Sequence, residues 1–238
     1  MLKHVMRWLT GGAQAPVGPH TPAGASPVRS ALDAPLLHGI QRGTLATRYR
    51  GRALLKSPFD LALYMQLIQL LTPGCIIEIG AHEGGSALWF ADTMRNAGLA
   101  PRVVSVDRAV PDLADARVQC IAGDALALDV ALPAGLLAGL PRPWLVVEDS
   151  AHHYDSCLAV LRFFDAHLRA GDYIVVEDGV VALLDEPAYR QYDNGPVRAV
   201  AQFLAERAGA YEIDRGLCDF YGENVTYNPD SWLRRVAD

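Results

Sequence analysis

The hydrophobic and polar positions downstream of residue 56 follow two patterns that alternate along the chain. One pattern is a short apolar run of the kind that forms a buried strand, and the other spaces its apolar positions along one face of a helix. The apolar runs predict strands over residues 75–79, 102–107, 117–121, 144–149 and 173–178. The helical spacing predicts helices over residues 58–71, 86–97, 155–168 and 197–208, and a mostly helical stretch over 125–140.

Strands that alternate with helices predict an α/β fold, with a doubly wound and mostly parallel sheet in one domain. Two closing strands, over residues 211–220 and 224–227, have no helix between them. Such a pair predicts an antiparallel hairpin at the edge of the sheet. The first helix is expected to start with Ser57 as its N-cap and Pro58 at its first helical position.

The N-terminal region has a different composition. Residues 11–35 are rich in Gly, Ala and Pro, which is typical of a mobile arm, and order is expected from Thr44 onward. The sequence therefore predicts a mobile or interaction arm over residues 1–43 and a single domain over residues 44–238. Residues 1–10 lack the uninterrupted apolar run of a secretory signal, and no segment has the length of a transmembrane span. An amphipathic first turn that contacts a membrane or a sister subunit is the alternative for this segment.

Composition and charge exclude some classes of partner. The chain has 238 residues, of which 51% are hydrophobic, and a formal net charge of -6 without a long basic run. These values predict an ordinary globular protein that has neither nucleic acid nor a membrane as its partner. A reduced, cytoplasmic setting is expected because the four cysteines lie far apart and form no C-x-x-C pair.

Acidic residues end two of the predicted strands. Asp149 ends one apolar run, and Glu177 and Asp178 end another. Parallel strands release their side chains at one edge of the sheet, where ligands bind, so these three carboxylates are expected to converge. Like charges repel, and three carboxylates in one site therefore need a cation. An oxygen-only set of ligands favours Mg²⁺.

A histidine follows the first of these acids on the same loop. His152 adds a titratable base, so His152 and Asp149 are the expected catalytic residues, with His153 as the rival for the base. Glu148 is expected to point to the opposite face of the sheet, because side chains alternate along a strand. The alternative for the acids is that they solvate the strand ends and cap the next helices.

The segment after the first strand has features of a cofactor site. Glu78 is followed by Gly80, Gly84 and Ser86, where glycines let the backbone approach a ligand and the new helix offers free N–H groups. Asp107 ends the second strand, where an acid can bind both ribose hydroxyls, and Asp124 follows the third strand, within reach of an adenine amine. Acids at successive strand ends predict a cofactor that carries a nucleoside.

These residues carry a family resemblance. The E-x-G-x-x-x-G-G-S pattern, with an acid after the second strand, resembles class I S-adenosylmethionine-dependent methyltransferases. Several motifs resemble the cephalosporin hydroxylase / rhamnosyl O-methyltransferase family over roughly residues 44–236: Tyr49-Arg50-Gly51, Lys56-Ser57-Pro58-Phe59-Asp60, Glu177-Asp178-Gly179 and Asn224-Val225-Thr226-Tyr227-Asn228-Pro229. The D-x-x-H pattern of Asp149 and His152 also resembles Mg²⁺-dependent macrolide-sugar O-methyltransferases.

The resemblance implies a Rossmann-like, seven-stranded sheet, S-adenosylmethionine as cofactor, and methylation of a hydroxyl on a small natural product, often a sugar of a secondary metabolite. It implies Asp149, Glu177 and Asp178 as Mg²⁺ ligands and His152 as the general base. Glu78 and Gly80 would line the methionine end of the cofactor. The resemblance also points to a homo-oligomer, and the segments that precede the sheet can pack on a sister subunit.

Two other functions remain as alternatives. The first is a nicotinamide-dependent oxidoreductase. The G-x-x-x-G-G spacing disfavours this interpretation, because dinucleotide enzymes have G-x-G-x-x-G, and the interpretation gives the paired acids no role. The second is a catalytically inactive methyltransferase fold that serves as a scaffold, and the intact acids and His152 disfavour this interpretation.

Overall fold

A computed structural model describes residues 28–184 and 186–238. Its α-helices are α1 (Ala34–Ala46), α2 (Pro58–Leu71), α3 (Gly85–Asn96), α4 (Leu128–Ala131), α5 (Ala134–Ala138), α6 (Tyr154–Asp165), α7 (Gly195–Glu206) and α8 (Arg215–Cys218). Its strands are β1 (Arg48–Tyr49), β2 (Arg52–Ala53), β3 (Cys75–Ile79), β4 (Val103–Asp107), β5 (Val118–Ala122), β6 (Trp144–Glu148), β7 (Tyr173–Val176), β8 (Tyr211–Ile213) and β9 (Trp232–Arg235).

Seven strands form one sheet in the order β5-β4-β3-β6-β7-β9-β8, and β1 pairs with β2 in a separate antiparallel hairpin. Strands β3 to β7 pair in parallel, whereas β9 runs antiparallel to both β7 and β8. The doubly wound, mostly parallel α/β sheet is therefore confirmed. Because β3 to β7 share one direction, their carboxyl ends lie on one edge of the sheet.

Both faces of the sheet are buried, and side chains divide between them by the pleat of the strands. Ile77 and Ile79 pack into a core with helices α6 and α7. Ile76 packs on the other face with helices α2 and α3, together with Trp232 from β9. Because the central strands are buried on both faces of the sheet, their side chains are apolar on both sides and their sequences are continuous apolar runs.

Helix α2 begins as predicted. Ser57 is the N-cap, its Oγ accepts a hydrogen bond from the Asp60 amide at 3.1 Å, and Pro58 occupies the first helical position. The buried Asp60 carboxylate in turn accepts hydrogen bonds from the Thr226 hydroxyl and from the Tyr227 amide, the latter at 2.9 Å. This helix start thus ties a distant loop to the body of the domain.

The predicted closing strands are wrong in their bounds. Strand β8 ends at Ile213 because Asp214 caps the short helix α8, accepting a hydrogen bond from the Leu217 amide at 3.2 Å. Residues 224–227 form no strand, since their polar groups bond to Asp60 and to neighbouring loops instead of to a ladder. The partner of β8 is β9, which inserts between β7 and β8 and makes the edge antiparallel, as expected.

Order begins earlier in the chain than Thr44, since α1 covers Ala34–Ala46. Leu37 of this helix is buried against Val180, Leu184 and Tyr227, so the helix packs on the loops after β7. Residues 1–27 of the predicted arm lie outside the described residues. In the described part of the chain, no helix is long and apolar enough to span a membrane.

Candidate active site

The acids that end β6 and β7 lie side by side at the carboxyl edge of the sheet. Glu148 is in register with Val176, and the Glu177 amide donates a hydrogen bond to the Glu148 carbonyl at 2.8 Å. Asp149 and Glu177, the next residues on the two strands, therefore meet. Glu148 lies on the opposite face, as predicted, and its carboxylate accepts a hydrogen bond from the Ser150 amide at 3.2 Å.

Three side chains at this edge can hold a metal ion together. One ligand atom each from Asp149, His152 and Asp178 lies within 4.8 Å of the others. His152 and Asp178 both adopt left-handed backbone conformations, with φ of 56° and 59°, which turn their side chains towards each other. His152 Nε2 is 3.4 Å from Asp178 Oδ2, whereas its buried Nδ1 has no hydrogen-bond partner among the described residues.

A lysine for which the sequence predicted no role in the site completes the cluster. The Lys56 ammonium donates to Glu177 Oε1 at 2.6 Å and to Asp149 Oδ2 at 3.0 Å, and its side chain is completely buried. The Tyr64 hydroxyl also donates to Glu177 Oε1, at 2.6 Å. Lys56 opens the Lys56-Ser57-Pro58-Phe59-Asp60 motif and directly precedes the N-cap of a helix, but no pattern in the sequence places its ammonium beside Asp149 and Glu177.

This lysine bears on the predicted metal ligands, which stay a prediction. Glu177 was expected to join Asp149 and Asp178, but its Oε1 is committed to Lys56 and Tyr64. The third side chain grouped with the two aspartates is His152. A buried ammonium therefore lies between two of the three carboxylates that are predicted to bind a metal.

The carboxyl groups remain crowded in spite of Lys56. Burial raises the pKa of Glu177 to about 7, although Lys56 opposes the shift, and burial raises the pKa values of Asp149 and Asp178 to about 6 each. Burial lowers the pKa of His152, but the surrounding carboxylates, Asp178 foremost, outweigh it and leave that pKa raised. Burial and mutual repulsion thus both disfavour the ionised carboxyl groups, and a bound cation would favour them.

The two histidines occupy different positions. The carbonyl of His153 accepts hydrogen bonds from the Ser156 hydroxyl and the Cys157 amide, both at 3.0 Å, so His153 serves the start of α6. Burial lowers the pKa of His153, and the neighbouring His152 lowers it further. Tyr192 contacts both imidazole rings, with centroids 5.5 and 5.6 Å away. Of the two, the structure brings only His152 to the acids.

Glu78 lies at the same edge, on β3, and is completely buried. Its Oε2 accepts a hydrogen bond from the Ser105 hydroxyl at 2.6 Å, and the Ser86 hydroxyl also bonds to this carboxylate. Burial raises the pKa of this carboxyl group, and Lys56 opposes the shift. The second oxygen, Oε1, has no hydrogen-bond partner among the described residues. A buried carboxylate oxygen without a donor is costly unless a ligand supplies one.

The glycines after β3 are required by the protein's own packing. A Cβ on Gly80 would lie 1.9 Å from the Asp149 carbonyl oxygen, and Gly80 has a φ of 108°. Gly84 has a φ of 78°, and a Cβ there would lie 2.5 Å from Leu113 Cδ1. Close approach to a ligand was the expected reason for these glycines, whereas close approach between loops already accounts for them.

The two remaining acids end β4 and β5, which are adjacent in the sheet. Asp107 accepts hydrogen bonds from the His82 and Ala109 amides, both at 2.9 Å, so it joins the turn after β3 to the loop after β4. Asp124 is exposed and accepts a hydrogen bond from the Leu126 amide at 2.9 Å, within its own turn. Both lie on the same edge as Glu78.

The parallel strands β3 to β7, with acids at their carboxyl ends, place a candidate ligand site along one edge of an α/β sheet. The family model described as "Rhamnosyl O-methyltransferase/CmcI" matches residues 42–236. The chain belongs to this family of S-adenosylmethionine-dependent O-methyltransferases, which confirms the resemblance that the motifs indicated.

Individual relatives agree with this assignment. The rhamnosyl O-methyltransferase of Mycobacterium leprae is 33% identical over 176 residues, which cover 71% of this chain and 75% of the relative. That of Mycobacterium tuberculosis is 29% identical over 174 residues, with 71% and 70% covered. An apo structure of CmcI is 22% identical with a TM-score of 0.65, covering 99% of this chain and 96% of that one. A CmcI structure with Mg-SAM is 21% identical with a TM-score of 0.61, covering 81% and 78%.

Proposed function

We propose that this enzyme transfers a methyl group from S-adenosylmethionine to a hydroxyl of a rhamnosyl or related sugar unit on a small natural product, with Mg²⁺ at the acidic cluster. The observation that carries the proposal is the grouping of Asp149, His152 and Asp178 within 4.8 Å at the edge that also holds Glu78. The names of the curated relatives support a sugar as the acceptor.

The residues present fit a divalent cation. Asp149 and Asp178 would hold it, and Glu177 would contribute its second oxygen, because its Oε1 already bonds to Lys56 and Tyr64. Burial is the main cause of the raised pKa values of these carboxyl groups, the neighbouring carboxylates add to it, and a bound cation would favour the ionised forms. When bound, the ion would polarise the acceptor hydroxyl and lower its pKa. A CmcI structure with Mg-SAM supports the choice of ion.

His152 would act as the general base. Its Nε2 lies towards Asp178 at 3.4 Å, which favours the tautomer that carries the proton on Nε2 and leaves a lone pair on the unpartnered Nδ1. Removal of the hydroxyl proton during the attack is needed because a neutral sugar hydroxyl is a poor nucleophile. Asp178 would stabilise the imidazolium that results, as a carboxylate beside a catalytic histidine does.

The cofactor would lie across the carboxyl ends of β3, β4 and β5. Glu78 Oε1, which is buried and has no partner among the described residues, would accept a hydrogen bond from the ammonium group of the methionine portion. Asp107 accepts one backbone amide at each oxygen, and each oxygen retains a lone pair for a ribose hydroxyl. Gly80, Gly84 and Ser86 would shape the turn beside it, and Asp124 would face the adenine.

The test is methyl transfer from labelled S-adenosylmethionine to rhamnosides, with matched amines as competing acceptors. EDTA should abolish transfer to the hydroxyl and added Mg²⁺ should restore it. His152→Ala should lower kcat by about 10²–10⁴-fold, the range for a positioned base, and should leave cofactor binding unchanged. His153→Ala is the matched control, with a loss of less than about tenfold. Transfer to amines alone, or full activity in EDTA, contradicts the proposal.

A further inference from the structure

The β1–β2 hairpin (Arg48–Ala53) lies outside the main sheet and packs on the turn that follows β3. A Cβ on Gly85 would lie only 2.0 Å from the carbonyl oxygen of Ala53, so the hairpin touches the first residue of α3 directly. On its other side the turn touches Leu113, at the position of Gly84. The turn is therefore enclosed between the hairpin and the loop after β4.

Arg52 of this hairpin joins the two loops. Its Nη1 donates to the Glu83 carbonyl at 2.9 Å, and its Nη2 donates to the Asp112 carbonyl at 2.5 Å. The hairpin is fixed from the other direction as well, because the Ala53 amide donates to the Glu83 carboxylate at 2.8 Å. One planar guanidinium thus spans the turn after β3 and the loop after β4, which a single ammonium group cannot do equally well.

The same two loops are joined a second time, from inside. Asp107 accepts hydrogen bonds from the His82 amide, in the turn after β3, and from the Ala109 amide, in the loop after β4. In the proposed function these loops flank the cofactor, and Asp107 binds its ribose. Arg52 lies on the outer side of this pair of loops and Asp107 on the inner side.

We propose that Arg52 is a positioning residue that holds the two cofactor loops together and so sets the affinity for S-adenosylmethionine without touching it. This inference rests on the proposed function. Within residues 28–184 and 186–238, Arg52 hydrogen-bonds only to backbone carbonyls, and none of these partners is a core side chain. Loss of Arg52 therefore lowers the fraction of molecules with both loops closed, and the apparent affinity falls by that fraction.

The experiment compares the wild-type protein with Arg52→Ala, Arg52→Lys and Arg48→Ala. Arg48 is the matched control, because it carries the same charge on the same hairpin but bonds only to the nearby Leu45 and Thr47 carbonyls. Calorimetry with S-adenosylmethionine gives Kd, steady-state kinetics gives KM and kcat, and hydrogen exchange reports on residues 82–86 and 109–115.

Arg52→Ala should raise Kd and KM for S-adenosylmethionine about 5- to 30-fold, as the loss of one or two hydrogen bonds from a charged donor predicts. At saturating cofactor its kcat should stay within about twofold of wild type, because the closed loops are then restored by binding. Arg52→Lys should fall between the two, Arg48→Ala should match wild type, and exchange should rise in both loops of Arg52→Ala.

Two outcomes overturn the inference while S-adenosylmethionine binding by the wild-type protein leaves the proposed cofactor intact. They are an unchanged Kd in Arg52→Ala, whatever its melting temperature, and an equal loss of affinity in Arg48→Ala. A wild-type protein that binds no S-adenosylmethionine refutes the proposed function itself, and the inference with it.

Discussion

Replacement of Lys56 by methionine tests the electrostatics of the cluster. The substitution keeps a long side chain but removes an ammonium that is completely buried between Glu177 and Asp149. Loss of one partner from a buried ion pair destabilises a protein by about 3–5 kcal/mol, because the other charge stays buried without a partner. Glu177 should carry most of this cost, since its side chain is 4% exposed and that of Asp149 is 19% exposed.

The loss of stability should depend on pH. The pKa of Glu177 in the folded protein is about 7, above the value of about 4.3 for an unfolded chain, and removal of Lys56 raises it further. As pH falls through that pKa, the folded variant takes up a proton at Glu177 and the uncompensated charge disappears. The stability deficit of Lys56→Met should therefore shrink at acidic pH, by at most about 1.4 kcal/mol per pH unit, and grow towards pH 8.

Urea unfolding of four proteins provides the assay: wild type, Lys56→Met, Glu177→Gln and the double variant. The double variant removes both charges, and the side-chain amide introduced at position 177 remains as a partner for the Tyr64 hydroxyl. It should therefore be more stable than the sum of the losses in unfolding free energy of the two single variants predicts. The coupling free energy should be about 1–3 kcal/mol at pH 8. Additivity within about 0.5 kcal/mol, or a deficit that does not change between pH 5.5 and pH 8, would refute the reasoning.

Three further expectations concern the loops and the assembly. Gly85→Ala should lower the free energy of unfolding by about 1–3 kcal/mol, because its Cβ would clash with the Ala53 carbonyl. Gly43 lies on α1 with open space around it, so Gly43→Ala should raise the free energy of unfolding by about 0.5–1 kcal/mol. Denaturant unfolding measures both changes. Asp107→Ala should weaken S-adenosylmethionine by about 1.5–3 kcal/mol per charged hydrogen bond lost, and unchanged binding in calorimetry would remove Asp107 from the site. Self-association, expected from the sequence, stays a prediction that light scattering at about 50 µM tests, and a monomer would count against it.

The edge of the sheet that carries the site could be predicted because it follows from local patterns. Continuous apolar runs identified β3, β6 and β7, and parallel strands must bring the residues after them to one edge. The convergence of Asp149, His152 and Asp178 needed no further information. Burial on both faces made these runs distinctive, whereas short or half-exposed elements such as β8 have too few residues to show a period.

Contacts between distant segments could not be predicted in this way. Residues 224–227 have the composition of a strand, yet Asp60 on α2 binds their hydroxyl and amide groups and keeps them out of the sheet. Lys56 reaches Glu177 for a similar reason, since the N-cap of α2 fixes where its backbone stands. Such contacts depend on where two elements dock, and no periodicity within either element specifies that.

The charges of the site could be predicted only in part. Crowded carboxylates require a cation, but no pattern in the sequence shows that the chain supplies one of its own. Glu78, Asp149, Glu177 and Asp178 carry four negative charges when ionised, and Lys56 offsets one of them. S-adenosylmethionine, with two positive charges and one negative, would offset a second, and a divalent ion would offset the remaining two. Neither ligand alone neutralises these four carboxylates, so the proposed cofactor and ion should each bind more tightly when the other is present.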